Sequence, residues 1–132
     1  MVGAINTALS GVLAAGRSVE NGAQNIANAR TVGRPGAAPG SEGAVFQPQA
    51  VRNQPLAGGG VGSGRVAVDP ASFPEFQPDS TLADAKGFVD APNVDMARES
   101  VDFRQAANAY RANLAVLKVA DSLEREAINT VA

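Results

Sequence analysis

The 132-residue chain contains no cysteine, no histidine and no tryptophan. Without the first two it forms no disulfide, no thiolate nucleophile, no histidine-based triad and few kinds of zinc site. Zero cysteines fit any redox compartment, so their absence locates nothing. Aromatic residues make up only 5% of the chain, which leaves little bulk for a globular core. Neither sign of charge dominates: 11 basic and 13 acidic residues give a net charge of −2. No basic stripe is interleaved with aromatics, so the electrostatic footprint of a nucleic-acid binder is missing. An acidic membrane surface attracts such a chain no better. No run reaches the roughly 20 apolar residues of a membrane span. Ala8 to Ala15 faintly resembles the apolar stretch of a secretion signal, but no Lys or Arg precedes it and Ser10 interrupts it. It reads as mature helix, not as a cleaved signal.

What the chain does have is a sharp partition. All eight prolines lie between Pro35 and Pro92, and ten of the fourteen glycines lie between Gly33 and Gly87. Before and after that block the sequence reads as long helix. The expected fold is mainly α. Its N- and C-terminal helices pair antiparallel, in the manner of a coiled coil, around a small Gly/Pro-rich insert containing β-structure. Three parts follow: residues 1–31, 32–87 and 88–132.

In the first part, Ile5, Leu9, Val12, Gly16, Val19, Ala23 and Ile26 recur at alternating spacings of four and three. That is a heptad seam, a narrow stripe along one face of a helix over about residues 4–30. Gly16 and Ala23 within it permit close approach of a partner. Asn21, Gln24, Asn25 and Asn28 favour local backbone bonds over helix, so packing must offset their presence. Gly33, by a positive φ, and Pro35, by its missing donor, are expected to stop the helix.

The insert carries no helical period. Gly58 to Gly64 lacks the Gly-Lys-Ser/Thr ending of a phosphate loop and reads as a flexible turn. The runs 44–51 and 65–68 flank it as short strands of a hairpin, with Val66 and Val68 alternating against Arg65, Ala67 and Asp69. Pro48 confines the first run to an edge or a bulge. Asp69, Glu75, Asp79 and Asp84 match neither a calcium loop nor an acid–base pair, and read as solvated loop charges.

After Pro92, Asn93 and Asp95 offer capping side chains, and no helix breaker follows. A helix over 95–129 is about 50 Å long. Phe103, Tyr110, Leu114, Leu117, Ile128 and Val131 mark one face, and Val116, Ala120, Leu123 and Ala127 a second beside it. An apolar surface that broad touches more than one neighbour. Arg98 with Asp102 and Asp121 with Arg125 are i,i+4 pairs. Tyr110 has no base beside it, and reads as a buried packing residue with a bonded hydroxyl. No catalytic residue, cofactor-binding residue or metal ligand is assigned. Two helices with so few large apolar residues do not stand alone, and they call for partners.

These residues also carry a resemblance. Asn25-Ile26-Ala27-Asn28-Ala29 followed by Thr31 resembles the N-terminal signature of bacterial flagellar rod and hook proteins. Gly87-Phe88-Val89, Pro92-Asn93-Val94-Asp95, Glu99 and Ala109-Tyr110-Arg111-Ala112-Asn113 resemble their C-terminal signature. The two motifs match in order and in placement at opposite ends, over roughly residues 4–31 and 82–130. The short length and Pro-Asn-Val-Asp are most similar to the C-type proximal rod branch. Ala44 to Pro48 stands where that branch has a Tyr-Arg-rich strand, and the insert is unusually rich in glycine. Those departures leave open a B-type or divergent relative, and a small helical adaptor of the export apparatus is the alternative outside the family.

The resemblance implies a structural, non-enzymatic subunit without cofactors. It implies export through the flagellar type III apparatus without a cleaved signal, and a place in the basal body spanning the periplasm. Partners would be further copies and other rod subunits, with no nucleic acid and no membrane insertion. The candidate assembly interface is the seam from Ile5 to Ile26 with Asn28, together with Phe103, Tyr110, Asn113, Leu114, Leu117, Leu123 and Ile128. The motif residues Asn25, Ala27, Thr31, Gly87, Pro92, Asn93, Val94, Asp95 and Glu99 complete the set of singled-out positions.

Overall fold

The structure is a computed structural model that describes residues 2–131. Two helices, α1 (Val2–Asn28) and α2 (Met96–Val131), enclose four strands: β1 (Gln49–Pro55), β2 (Val61–Ala67), β3 (Ser72–Phe76) and β4 (Phe88–Pro92). The helices run antiparallel. Gly22 lies against Glu99 and Phe103, Gly16 against Tyr110, and Gly11 against Asn113. Continued along the pair, that correspondence brings α2 level with the first turn of α1 near Ala120. Every residue from Asp121 to Thr130 is exposed, a stretch of roughly 15 Å at the helical rise.

The stripe of α1 that meets α2 is rotated from the expected one. Val12 is buried, but Ala8, Ala15 and Gly22 are buried with it, while Leu9 and Ala23 are exposed. The cause is size. Gly11 is so close to α2 that a Cβ there would sit 2.6 Å from Asn113 Oδ1. A seam chosen by bulk puts Leu9 inward, whereas the short interhelical distance selects Ala and Gly. Tyr110 also departs from expectation. It is 36% exposed, with its ring over Gly16.

α1 ends at Asn28, where Thr31 Oγ1 and the Thr31 N–H both donate to the Asn28 carbonyl. Gly33 does not act through a positive φ, since it is not among the glycines with that geometry. It is needed because the Val45 backbone lies where a Cβ would be. Gly33 then exchanges two backbone hydrogen bonds with Asp90 of β4, at 2.8 and 2.9 Å. This junction, with Val45, Pro48, Val89 and Ala91 buried around it, forms a small base beneath the helices.

The first hairpin pairs Gln49 with Ala67 through to Pro55 with Val61. It is therefore offset from the expected runs 44–51 and 65–68. Gly59 and Gly60 both have φ of +86° and close the turn, so the turn sets the register. Gly62 and Gly64 are strand residues, not part of a flexible turn. Pro48 is buried just before the strand, and its carbonyl accepts from the Val68 N–H. The expected alternation is also absent, as Arg65, Val66 and Ala67 are all exposed. A second hairpin, β3 with β4, was not legible as one. Pro74 within β3 masks the strand, and the Phe76 and Phe88 rings meet edge to face at 5.4 Å.

Candidate assembly interface

α1 has three faces, two of which meet other elements of the chain. The small-residue stripe takes α2. A second, polar face takes the first hairpin through both its backbone and its side chains. Ser10 Oγ accepts from the Val61 N–H at 3.0 Å, and Arg17 Nη1 donates to the Ser63 carbonyl and hydroxyl. Glu20 pairs with Arg65 at 2.9 Å, and Asn21 Nδ2 donates to the Gln49 carbonyl at 2.6 Å. The third face, with Leu9 and Leu13, is exposed by 45% and 58%.

Asn25 joins these elements. Its side chain is 1% exposed. Nδ2 donates to the Gln49 carbonyl at 2.7 Å and to Glu99 Oε1 at 2.9 Å, and Oδ1 accepts from the Gln49 N–H at 3.3 Å. One amide thus satisfies both main-chain groups of a strand residue and one carboxylate of α2. No buried side-chain nitrogen or oxygen among the described residues lacks a partner. Burial without such partners would cost about 1–3 kcal/mol per group. Asn21 and Asn25 are tolerated in the helix interior because both side chains are used this way.

The C-terminal motif is equally local in its effects. Asp95 Oδ1 accepts from the Ala97 and Arg98 N–H groups at 3.0 Å, which caps α2. Asn93 is not a cap, because its Nδ2 donates to the Pro70 carbonyl at 2.9 Å. Pro92 is buried and Val94 half-buried. Gly87 has φ of +82°, with the Phe76 ring packed over it. Beside it, the Phe88 and Lys86 N–H groups hold Asp84 below the usual carboxylate range. Ala27 and Thr31 are exposed, and Asn28 Nδ2 donates to the Gln24 carbonyl.

The remaining sequence-derived positions divide by burial. Ile5, Gly16, Val19, Ile26, Phe103, Asn113 and Leu117 are half-buried along the helix pair. Leu114, Leu123 and Ile128 are exposed by 42%, 48% and 68%. The side chain of Val131 lies outside the described residues. Val116 and Val119 are exposed as well, and with Leu123 they form an apolar side of α2 turned away from the Phe103 and Tyr110 side that meets α1. Sequence reasoning missed Ser10, Arg17, Asn21 and Gln49. Ser10, Arg17, Asn21 and Asn25 recur on one side of a 3.6-residue helix, and that polar periodicity was the available signal.

The family described as Flagellar basal body rod FlgEFG protein C-terminal matches residues 85–130, that is, β4 and nearly all of α2. The flagellar basal-body rod protein FlgC of Yersinia enterocolitica is 42% identical over 105 residues, covering 76% of this chain and 75% of its own. FlgC of Salmonella typhimurium is 35% identical over 118 residues, covering 86% and 85%. FlgC of Borreliella burgdorferi is 32% identical over 148 residues, covering 94% and 93%. The chain belongs to the FlgC family of flagellar basal-body rod proteins. As a FlgC-family chain it is a structural, non-enzymatic component of the basal-body rod.

Proposed function

We propose that this FlgC-family chain builds the proximal rod by polymerising through both terminal helices at once. Within residues 1–31 and 88–132, α1 and α2 serve as the rod helices and pack in coiled-coil fashion, and residues 32–87 form the outward insert. The supporting observation is the exposed apolar surface on both helices. It comprises Leu9 and Leu13 on α1, and Val116, Val119, Leu123 and Ile128 on α2. Apolar surface of that extent on so small a chain marks an interaction site. Copies joined through two different patches form an open helical array.

Neighbours are further copies and other rod subunits, within a structure that spans the periplasm. Delivery is by the flagellar type III export apparatus without removal of a signal, and neither nucleic acid nor membrane insertion is involved. A chain with no cysteine and few aromatics suits passage in the unfolded state.

Deleting the gene leaves cells without rod, hook or filament, as seen by electron microscopy of basal-body preparations. A normal rod in that strain overturns the proposal. Leu9→Asp or Leu123→Asp has the same effect, because a buried unpaired charge costs several kcal/mol. Gly64→Asp is the matched control. A Cβ at Gly64 meets nothing within 4 Å, so this variant supports motility.

A further inference from the structure

The first hairpin and α2 barely touch. An open groove separates them, floored by Ala14, Ala15 and Ser18 of α1, with Val51 on one wall and Ala106 on the other. The hairpin nevertheless shares one buried atom with α2. Asn25 Nδ2 gives one hydrogen to the Gln49 carbonyl and the other to Glu99 Oε1. Of the other attachments of the hairpin to α1, the Asn21–Gln49 bond comes from a buried residue, and those of Ser10, Arg17 and Glu20 lie nearer the surface.

We infer that Asn25 couples the docking of the first hairpin to the pairing of the two helices, with Glu99 as the positioning residue on α2. When Glu99 is in place, every polar atom of the Asn25 amide is satisfied and Gln49 is held at both its N–H and its carbonyl. The 1% exposure of Asn25 includes the cover that α2 provides. When α2 is away, that Nδ2 hydrogen loses its Glu99 acceptor and faces water, and nothing then holds the amide in the orientation that grips Gln49. The hairpin therefore takes its fixed place only once α1 and α2 have paired. For rod building this means that the outer arm is set after the helices meet, and that consequence rests on the function proposed above.

The test uses the full chain with its helices locked together. An ideal Cβ on Gly22 lies 3.7 Å from Phe103 Cβ, within the span of a disulfide. Gly22→Cys with Phe103→Cys, in a chain that otherwise lacks cysteine, fixes the pair whatever happens at Glu99. In this locked background, Glu99→Leu is expected to speed hydrogen exchange at the Gln49 amide roughly tenfold, the effect of losing one hydrogen bond to a charged group. Proteolysis within residues 53–61 rises in parallel. Glu99→Gln is expected to leave both readouts at the locked parent's level, since its amide oxygen accepts the same hydrogen bond. Unchanged exchange in the locked Glu99→Leu variant overturns the coupling. So does equal loosening by Glu99→Gln, which would make the effect one of charge and not of the bond to Asn25. Neither readout requires a rod, so a failure of the rod assignment in the deletion strain is a separate result.

Discussion

Asn25 shows how a residue unfavourable to helix becomes one that the helix is built around. In isolation its amide competes with the helical backbone. Here it substitutes for a strand partner, bonding both main-chain groups of Gln49 while reaching Glu99. Asp84 does a similar service in the loop between β3 and β4, where Oδ1 accepts from the Lys86 and Phe88 N–H groups at 2.8 and 3.0 Å. Those bonds favour its ionised form, so its folded pKa lies below that of a free aspartate side chain. The resulting stabilisation is present above the unfolded pKa and is lost as the pH falls through the folded one. Asp84→Ala is expected to raise protease sensitivity within 78–87 at neutral pH. At a pH below the folded pKa, the variant and the parent should be cut at the same rate, and the effect is modest because the group is fully exposed.

At the scale of elements, the two helices and their antiparallel order were legible because the prolines and most glycines vacate both ends of the chain. The face of α1 was legible only in part. Val12 is buried and Ile5, Val19 and Ile26 are half-buried, but bulk alone does not show that Ala8, Ala15 and Gly22 are buried in place of Leu9 and Ala23. Strand boundaries were the least legible. The first hairpin is polar on both faces, and it is held by Arg17 and Asn21 of another element, so no alternation announces it. The second is hidden by Pro74 and becomes a strand through pairing with β4, which the base buries. Gly33 tests the importance of that base. Gly33→Ala places a methyl group against the Val45 backbone, and overpacking of this kind costs about 1–3 kcal/mol. Faster proteolytic cutting between Arg34 and Ala44 is the expected outcome. Cutting at the parent rate would show that the Val45 segment yields without cost.

For the whole molecule, the buried set is notable for its small side chains: among the described residues and apart from prolines and glycines, six of its nine apolar members are alanine and the other three are valine. Burial on that scale contributes little against the entropy of ordering two long helices. The isolated chain is therefore expected to be partly unfolded and to gain helix on assembly. Circular dichroism of dilute protein should show less helix than the two elements contain, without a cooperative melt. A sharp transition at micromolar concentration, with full helix content, would contradict this. The turns from Asp121 to Thr130 should lose their protection first, since all of these residues are exposed.

Those uncovered turns also give the subunit a top and a bottom. One end of the helix pair is a single bare helix of roughly 15 Å, and the other is a base closed by the Gly33–Asp90 bridge. Copies stacked in a common orientation would display helix tips at one terminus of the stack and closed bases at the other. The two termini would then differ chemically, so adding a subunit at one is a different reaction from adding it at the other. Directional growth would thus follow from the nine-residue difference between a 27-residue helix and a 36-residue one.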